Sequence, residues 1–200
     1  MTYLVRRVVG CLMLLGVLSA CGGPGGAVSS AATTSGTPTR SAPPASGAGC
    51  AEAGELGDLA DKGFVDALKK IPTTSTFATY AALDPTRAKK LNALQGVTAF
   101  VPVDSAWSAV DATQAQQLAD PAWQGAAVEY ALVPQTVLPE DVAAGKTGAM
   151  PTYRAVGATL AGGRNGDSIV LNGVATVICG PVAFGGGLLY LTDRVLLPSS

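Results

Sequence analysis

The sequence predicts an α+β domain, with helices in its first half and strands in its second half. Three observations carry this prediction. Apolar residues recur at helical spacing between residues 56 and 71, the dipeptide Asn172-Gly173 separates two β-rich runs, and a long apolar run ends at Pro198. Segregated helices and strands are typical of domains in which helices pack on a single sheet. The residues from Cys50 onward are enough to bury one core of ordinary size.

The first twenty residues have the pattern of a secretory signal peptide. Two arginines precede an apolar run over residues 8–18, and Ser19-Ala20 leads directly into Cys21. This ending resembles the bacterial lipobox, whose cysteine receives a diacylglycerol before cleavage. We therefore expect a lipoprotein signal peptide over residues 1–20 and a palmitate-type lipid anchor at Cys21, since two acyl chains hold a protein firmly at a membrane. An ordinary signal peptide with an incidental Cys21 is the alternative.

The cysteine count agrees with lipidation. Cleavage discards Cys11, and acylation of Cys21 leaves Cys50 and Cys179 as the one remaining pair. A metal site is a poor alternative for these two thiols, because they are far apart in sequence and the chain has no histidine.

Residues 21–49 predict a disordered tether. They are almost entirely Gly, Ala, Ser, Thr and Pro, with Arg40 as the only charged residue. Such a composition cannot bury enough apolar surface to offset the entropy of ordering the chain. A flexible segment of this length reaches about 30 Å. We expect it to hold the domain away from the membrane.

The first predicted helix has one apolar face, formed by Leu56, Ala60, Phe64, Leu68 and Ile71. Pro72 ends this helix. A second helix begins after Thr74, turns Phe77 and Tyr80 inward, and ends at Asp84-Pro85.

Residues 98–101 are β-rich and predict a short strand that Pro102 ends. Asp104 follows at the N-cap position of a helix that contains Trp107.

Asp120-Pro121 repeats the pattern of a cap followed by proline at the first helical position, ahead of a helix that carries Trp123. Residues 132–133 follow this helix and predict a short strand. The pair Glu140-Asp141 predicts the start of a further short helix, where its charge suits the helix dipole.

The last third of the chain predicts strands. Residues 168–171 and 174–179 flank Asn172-Gly173, which favours the type I′ turn of a tight hairpin. Residues 188–197 predict a buried strand, because this apolar run is too short to cross a membrane.

The composition excludes several functional classes. Without histidine the chain has no Ser-His-Asp triad and no His-ligated metal, so Gly166-Asp167-Ser168 is not an esterase motif. The glycines at 162–163 and 185–187 lack the strand, lysine and helix order of a phosphate loop, and they predict turns. After residue 49 ten basic residues stand against fourteen acidic ones, which argues against nucleic acid as a partner. We expect no enzyme activity, no cofactor and no metal.

Five segments in order resemble the fasciclin domain, an extracellular module. The first segment is a strand followed by the beginning of a helix, at residues 98–107 (TAFVPVDSAW). The last segment is the closing strand, at residues 189–198 (LYLTDRVLLP). Between them lie residues 130–134 (YALVP), residues 157–160 (GATL) and the Asn172-Gly173 hairpin. The resemblance implies a fasciclin domain over residues 50–200, with helices packed on a β-sheet wedge or sandwich.

The resemblance also implies roles for particular residues. Similar single-domain bacterial surface antigens pair a cysteine before the first helix with one near the hairpin, as a Cys50–Cys179 disulfide would. Asp104 and Asp193 match family positions discussed for adhesion, so both are candidate partner contacts. Capping is the simpler role for Asp104, and a hydrogen bond to the core is the simpler role for Asp193. The family usually has histidine where this chain has Ala131.

Two functions remain. The favoured one is a noncatalytic adhesion or envelope-interaction module, anchored through Cys21 on the extracellular face of the cell membrane, with an unknown extracellular protein or glycan as partner. The second is a carrier of a small hydrophobic or glycan ligand, in a pocket lined by Phe64, Trp107 or Trp123. We expect these three rings in the core and the domain to be a monomer. A shed, secreted form is compatible with either function.

Overall fold

The structure is a computed structural model that describes residues 43–154 and 157–198. The predicted signal peptide, Cys21 and most of the tether lie outside these residues. The described α-helices are α1 Phe64–Leu68, α2 Ser75–Ala82, α3 Pro85–Asn92, α4 Ala112–Leu118, α5 Pro121–Tyr130 and α6 Pro139–Ala143. Short 3-10 helices cover Ala48–Ala53, Gly57–Leu59, Pro72–Thr74 and Asp104–Ala109.

The described strands form one large sheet and one small sheet. They are β1 Val97–Pro102, β2 Leu132–Val133, β3 Met150–Pro151, β4 Thr159–Leu160, β5 Gly162–Asn165, β6 Ser168–Leu171, β7 Ala175–Phe184 and β8 Gly187–Thr192. The large sheet has the order β2-β1-β8-β7-β6-β5, and β3 pairs with β4. The first and last strands, β1 and β8, are parallel neighbours, while the other pairs are antiparallel. The predicted α+β class is confirmed.

Both faces of the central strands are covered. Val97, Ala99 and Val101 on β1 pack into a cluster with the side chains of α1 and α2, whereas Phe100 points into a second cluster. Strand β8 alternates in the same way, with Leu189 in the first cluster and Tyr190 in the second. Alternate residues of a strand face opposite sides of the sheet, so both strands are buried almost throughout, including the polar residues Thr98 and Thr192.

The first predicted helix is broken at Gly63. The chain forms the 3-10 helix Gly57–Leu59, and α1 begins only at Phe64. Asn92 at the end of α3 accounts for the break, because its Oδ1 accepts a hydrogen bond from Val65 N–H at 2.7 Å. A Cβ at position 63 would lie within 2.7 Å of the Asn92 side chain. A contact between residues 27 apart therefore sets the start of α1.

The helices α3 and α4 and the strands β3, β4 and β5 were not predicted. Asp84-Pro85 ends α2 as expected, but it also starts α3, since the Asp84 carboxylate accepts Thr86 N–H at 2.8 Å. Helix α4 begins with a capping box between Asp111 and Gln114. The glycines at 162–163 form β5 instead of a turn, whereas those at 185–186 do form one.

Residues before Cys50 pack against the domain. Residues 46–49 were assigned to the tether, yet Ser46 pairs with Gly180 on β7 through main-chain hydrogen bonds of 3.0 and 3.2 Å. Gly47 at φ 128° allows the main chain to pass close to the carbonyl of Ile178. Part of the predicted tether, including Ser46, Gly47 and Gly49, therefore lies against β7.

The hairpin prediction is confirmed. Asn172 and Gly173 have φ of 52° and 70°, as the type I′ turn requires, and they join β6 to β7. Val174 belongs to the turn, so β7 begins one residue later than predicted, at Ala175, and it runs on to Phe184. The closing strand is shorter than predicted, because β8 ends at Thr192 and residues 193–198 run on without strand pairing.

Candidate functional site

A disulfide joins Cys50 to Cys179, with a Cα–Cα distance of 4.9 Å. This confirms the pairing that the family resemblance implied. Cys50 lies in the 3-10 helix Ala48–Ala53, and Cys179 is fully buried on β7. The bond fastens the first described segment to the sheet beside the Ser46–Gly180 bridge.

Asp104 serves the fold. Its Oδ2 accepts hydrogen bonds from Ser75 N–H at 3.1 Å and from the Ser75 hydroxyl at 2.8 Å, and its Oδ1 accepts Thr76 N–H at 2.8 Å. The capping prediction is therefore wrong in one respect, because Asp104 caps the preceding helix α2 and not the 3-10 helix that it begins. Both carboxylate oxygens are engaged, which leaves little for an external partner.

The electrostatics of Asp104 agree with this role. Burial raises the pKa of its carboxyl, but the hydrogen bonds from Thr76 and Ser75 lower it by more, so the net pKa lies below the usual range. The group is a carboxylate at neutral pH.

Asp193 lies one residue beyond β8 and is half-buried. Its Oδ1 accepts Thr176 N–H at 2.6 Å, and its own N–H donates to the Thr176 carbonyl at 3.0 Å. This pair continues the β7–β8 ladder through a side chain. It fixes the direction in which residues 194–198 leave the sheet.

A groove lies between this C-terminal segment, the hairpin tip and the helical region after β1. We call it the C-terminal groove and define it by Val110, Gln114, Asn172, Val174, Arg194 and Leu197. Its volume is about 290 Å³, and an adjoining cleft of about 420 Å³ shares Gln114, Asn172 and Leu197. Asp193 stands directly before Arg194 at its edge.

Val174 is the outstanding residue of this groove. Its side chain is 67% exposed, more than Leu83 at 46% or Tyr153 at 41%. Arg194 beside it is also exposed. An exposed aliphatic side chain next to a cation and a concave surface is a suitable contact for a protein partner.

A hydrogen-bond network holds Val174 in place. Asn172 donates from Nδ2 to the Tyr130 hydroxyl at 3.0 Å and accepts Ala161 N–H at Oδ1 at 2.8 Å. The Tyr130 hydroxyl donates in turn to the Thr159 carbonyl at 2.9 Å. The hairpin tip is thus tied to α5 and to the small sheet. Ala131, where the family usually has histidine, is buried next to Tyr130.

The three rings proposed to line a ligand pocket, Phe64, Trp107 and Trp123, do not line the C-terminal groove. Phe64 is fully buried and packs on Phe184 at 5.7 Å between ring centroids, as expected of a core residue. Trp107 and Trp123 are only half-buried. Trp107 still packs against the core, but the expectation of a core position is wrong for Trp123, which lies outside both core clusters. Trp107 contacts Tyr80 edge-on at 5.1 Å, and Trp123 lies 6.0 Å from the Arg154 guanidinium carbon.

A second groove of about 490 Å³ lies between α1 and α2. It is apolar at its base, formed by Leu68, Ile71 and Ala78, while Lys69 and Leu83 line it nearer the solvent. It is a wide and open surface, and it contains none of the predicted site residues.

The Tyr190 hydroxyl has a structural role. Burial raises the pKa of Tyr190, and its hydroxyl donates to the Val137 carbonyl at 2.8 Å. Ser168 is exposed at the start of β6. Within residues 43–154 and 157–198 no group of three or more potential metal ligands occurs, and no helix there is long and apolar enough to cross a membrane.

The sequence identified Asp104 and Asp193 as candidate contacts and implied the disulfide, but it did not single out Val174 and Arg194, which line the C-terminal groove. Val174 directly follows the Asn172-Gly173 turn, so an apolar residue in an exposed loop was the available signal. Arg194 gave no signal, because it falls within a run predicted as a buried strand.

Comparison with known proteins supports the fold and the family. No curated protein sequence matches the chain. A solved structure, a FAS1 domain pair from the insect cell adhesion molecule fasciclin I, has a TM-score of 0.52 and 18% sequence identity, and the match covers 68% of this chain and 50% of that chain. This chain thus spans about half the length of that structure, and the likeness shows the fold alone. The fasciclin domain profile matches residues 72–198, and the chain therefore belongs to the fasciclin domain family.

Proposed function

We propose that the protein is a bacterial lipoprotein whose fasciclin domain mediates adhesion or envelope interaction through the C-terminal groove. The single observation that carries the choice of surface is Val174, exposed at 67% on a hairpin tip fixed by the Asn172–Tyr130 hydrogen bond. Fasciclin domains are typical of adhesion and extracellular proteins, and the similar insect structure comes from a cell adhesion molecule.

The groove favours a protein partner. A rigid tip loses little entropy on binding, and a partner side chain can cover Val174 while a carboxylate pairs with the exposed Arg194. Arginine is enriched among the residues that carry most of the binding energy of protein interfaces, and an apolar neighbour such as Val174 can exclude water from its ion pair. A glycan partner is the alternative outcome of the test below.

The proposed lipid anchor is Cys21, and residues 22–42 of the tether connect it to the described part of the chain. Lipidation is supported by the lipobox-like Ser19-Ala20-Cys21 and by the disulfide, which leaves Cys21 as the one unpaired cysteine of the mature chain. The domain then works as a monomer on the extracellular face of the cell membrane. An unmodified Cys21 at a free amino terminus, detected by mass spectrometry of the mature protein, would remove this part of the proposal.

The proposed role requires no chemistry at the domain surface. Fasciclin domains generally act in adhesion without catalysis, and the chain has no histidine to serve as a general base. The carrier function is less well supported, because the apolar groove between α1 and α2 is open to solvent and contains none of the three rings proposed to line a ligand pocket. A stoichiometric lipid or sugar, seen by native mass spectrometry of the protein from its own host, would favour the carrier.

The test uses the soluble domain as bait on intact envelope, in three forms. Binding by the Val174→Ser variant should weaken about tenfold relative to the unchanged domain, since covering an exposed valine side chain contributes about 1.5 kcal/mol. Leu83→Ser is the matched control, because it removes another exposed aliphatic side chain outside the C-terminal groove. Equal binding by all three forms would refute the proposed surface. Release of the bound partner by glycosidase treatment would indicate a glycan.

A further inference from the structure

We propose that Asn165 is a site of spontaneous deamidation, and that the folded protein protects the second Asn-Gly dipeptide from the same reaction. The chain contains Asn165-Gly166 and Asn172-Gly173, both at hairpin tips. Glycine after asparagine is favourable for this reaction, because no Cβ shields the main-chain nitrogen that must attack. Two identical dipeptides in one domain therefore isolate the effect of their surroundings.

The reaction balances without any cofactor. The Gly166 nitrogen gives up its proton and bonds to Cγ of Asn165, and the side-chain nitrogen leaves as ammonia. Water then opens the resulting succinimide ring at one of its two carbonyls, which yields aspartate or isoaspartate. The net change replaces a neutral amide by a carboxylate.

The surroundings of Asn165 leave this reaction open. Asn165 is exposed at the end of β5 and pairs with Ser168 across the two-residue loop Gly166-Asp167. Its side chain forms no hydrogen bond within the described part of the chain. Gly166 has φ 60°, and a Cβ there would have no neighbour within 4 Å, although its carbonyl accepts a hydrogen bond from Arg164 at 3.3 Å.

Strand β5 is an edge strand, and Thr147 holds its start through hydrogen bonds with Gly162 of 2.7 and 3.2 Å, while Asn165 lies at the opposite end. The strand is the outermost one of the large sheet and pairs with β6 alone. Edge hairpins with exposed main-chain hydrogen bonds open more readily than core strands. Such openings allow Cγ of Asn165 to approach the Gly166 nitrogen.

The surroundings of Asn172 oppose the reaction. Its Nδ2, the leaving nitrogen, donates to the Tyr130 hydroxyl at 3.0 Å, and its Oδ1 accepts Ala161 N–H at 2.8 Å. Its own main-chain N–H donates to the Ala161 carbonyl at 2.8 Å. Both ends of the amide are held away from the Gly173 nitrogen, and attack requires breaking these bonds first.

Conversion of Asn165 alters the outer hairpin. The new carboxylate lies one residue from Arg164, whose guanidinium donates to the carbonyls of Gly166 and Asp167 at 3.3 and 3.1 Å. Isoaspartate in addition inserts a methylene into the main chain next to the loop. The consequence is a charge and shape change at the β5 edge, a surface that is separate from the C-terminal groove and does not depend on the proposed function.

The test follows both asparagines in the mature protein by peptide mapping and mass spectrometry during incubation in mildly alkaline buffer. We expect Asn165 to convert at least roughly tenfold faster than Asn172, because two hydrogen bonds must break before Asn172 can react. In the urea-unfolded chain the two rates should become similar. Equal or faster conversion of Asn172 in the folded protein, or no conversion of Asn165, would overturn the proposal.

Two variants sharpen the test. Asn165→Gln should abolish the fast phase, because the longer side chain does not form the same ring with Gly166. Tyr130→Phe removes the acceptor of Asn172 Nδ2, so Asn172 should convert faster while Asn165 keeps its rate. The Asn165 rate serves as the internal control for intact folding. An unchanged Asn172 rate in this variant would show that the Tyr130 contact gives no protection.

Discussion

The Oδ1 atom of Asp104 accepts a hydrogen bond from Thr76 N–H at 2.8 Å, so a residue just beyond β1 caps a helix that lies 28 residues earlier. The same carboxylate accepts Ser75 N–H, and together these bonds fix the start of α2 against the end of β1. We predict that Asp104→Ala lowers the free energy of unfolding by roughly 1–2 kcal/mol, since two main-chain donors lose their acceptor. Urea denaturation measures this loss. Asp104→Asn is the control, and its loss should be smaller because one oxygen remains.

The capping contact also predicts a pH dependence. The pKa of Asp104 is lower in the folded protein than in the unfolded chain, where it is near the ordinary value of about 3.9. The carboxylate therefore stabilises the fold fully above that ordinary value, and the contribution is lost as pH falls through the lower folded value. The difference in unfolding free energy between the unchanged protein and Asp104→Asn should shrink toward acid. A difference that grows on acidification would contradict the assignment.

Asp104 shows what sequence alone can and cannot supply. The order of strand, proline and aspartate predicted a cap correctly, because the residue type and its local spacing define one. It did not identify the helix, since the Ser75 and Asp104 segments are brought together only by the packing of α2 beside β1. For the same reason the Asn92 contact that starts α1 was invisible in the sequence.

The missed elements have a different cause. Helices α3 and α4 each bury one large apolar residue, Leu91 and Leu118, so they lack the periodic stripe that predicts a helix. Strand β5 consists of Gly162 to Asn165, which have low β propensity, and exists because β6 offers it a pairing edge. Where the sequence carried a strong local signal, as at Asn172-Gly173, the prediction was confirmed.

The Cys50–Cys179 disulfide closes a loop with a sequence separation of 129 residues. Loops of this length restrict the unfolded chain strongly, so the double variant Cys50→Ser/Cys179→Ser should lose about 2–5 kcal/mol of unfolding free energy. The double variant avoids a free thiol that could react. Reduction of the unchanged protein should lower its stability by a similar amount. Equal denaturation midpoints with and without reductant would show that the bond contributes nothing.

Gly187 sets the pairing of the two parallel strands at the centre of the sheet. It begins β8 at φ 155° and lies opposite Val97, the first residue of β1. A Cβ at this position would collide with the main-chain carbonyl of Val97, which cannot move without breaking the ladder. We predict that Gly187→Ala lowers the free energy of unfolding by about 3 kcal/mol or more, from backbone strain together with the displaced strand.

Gly163→Ala on β5 is the matched control, because the nearest neighbour of the added Cβ would lie 3.9 Å away and Gly163 is not among the residues with positive φ. That substitution should change stability by less than about 1 kcal/mol. Thermal and urea unfolding of both variants measure the contrast, and equal losses would show that the approach of β8 to β1 is not what requires glycine.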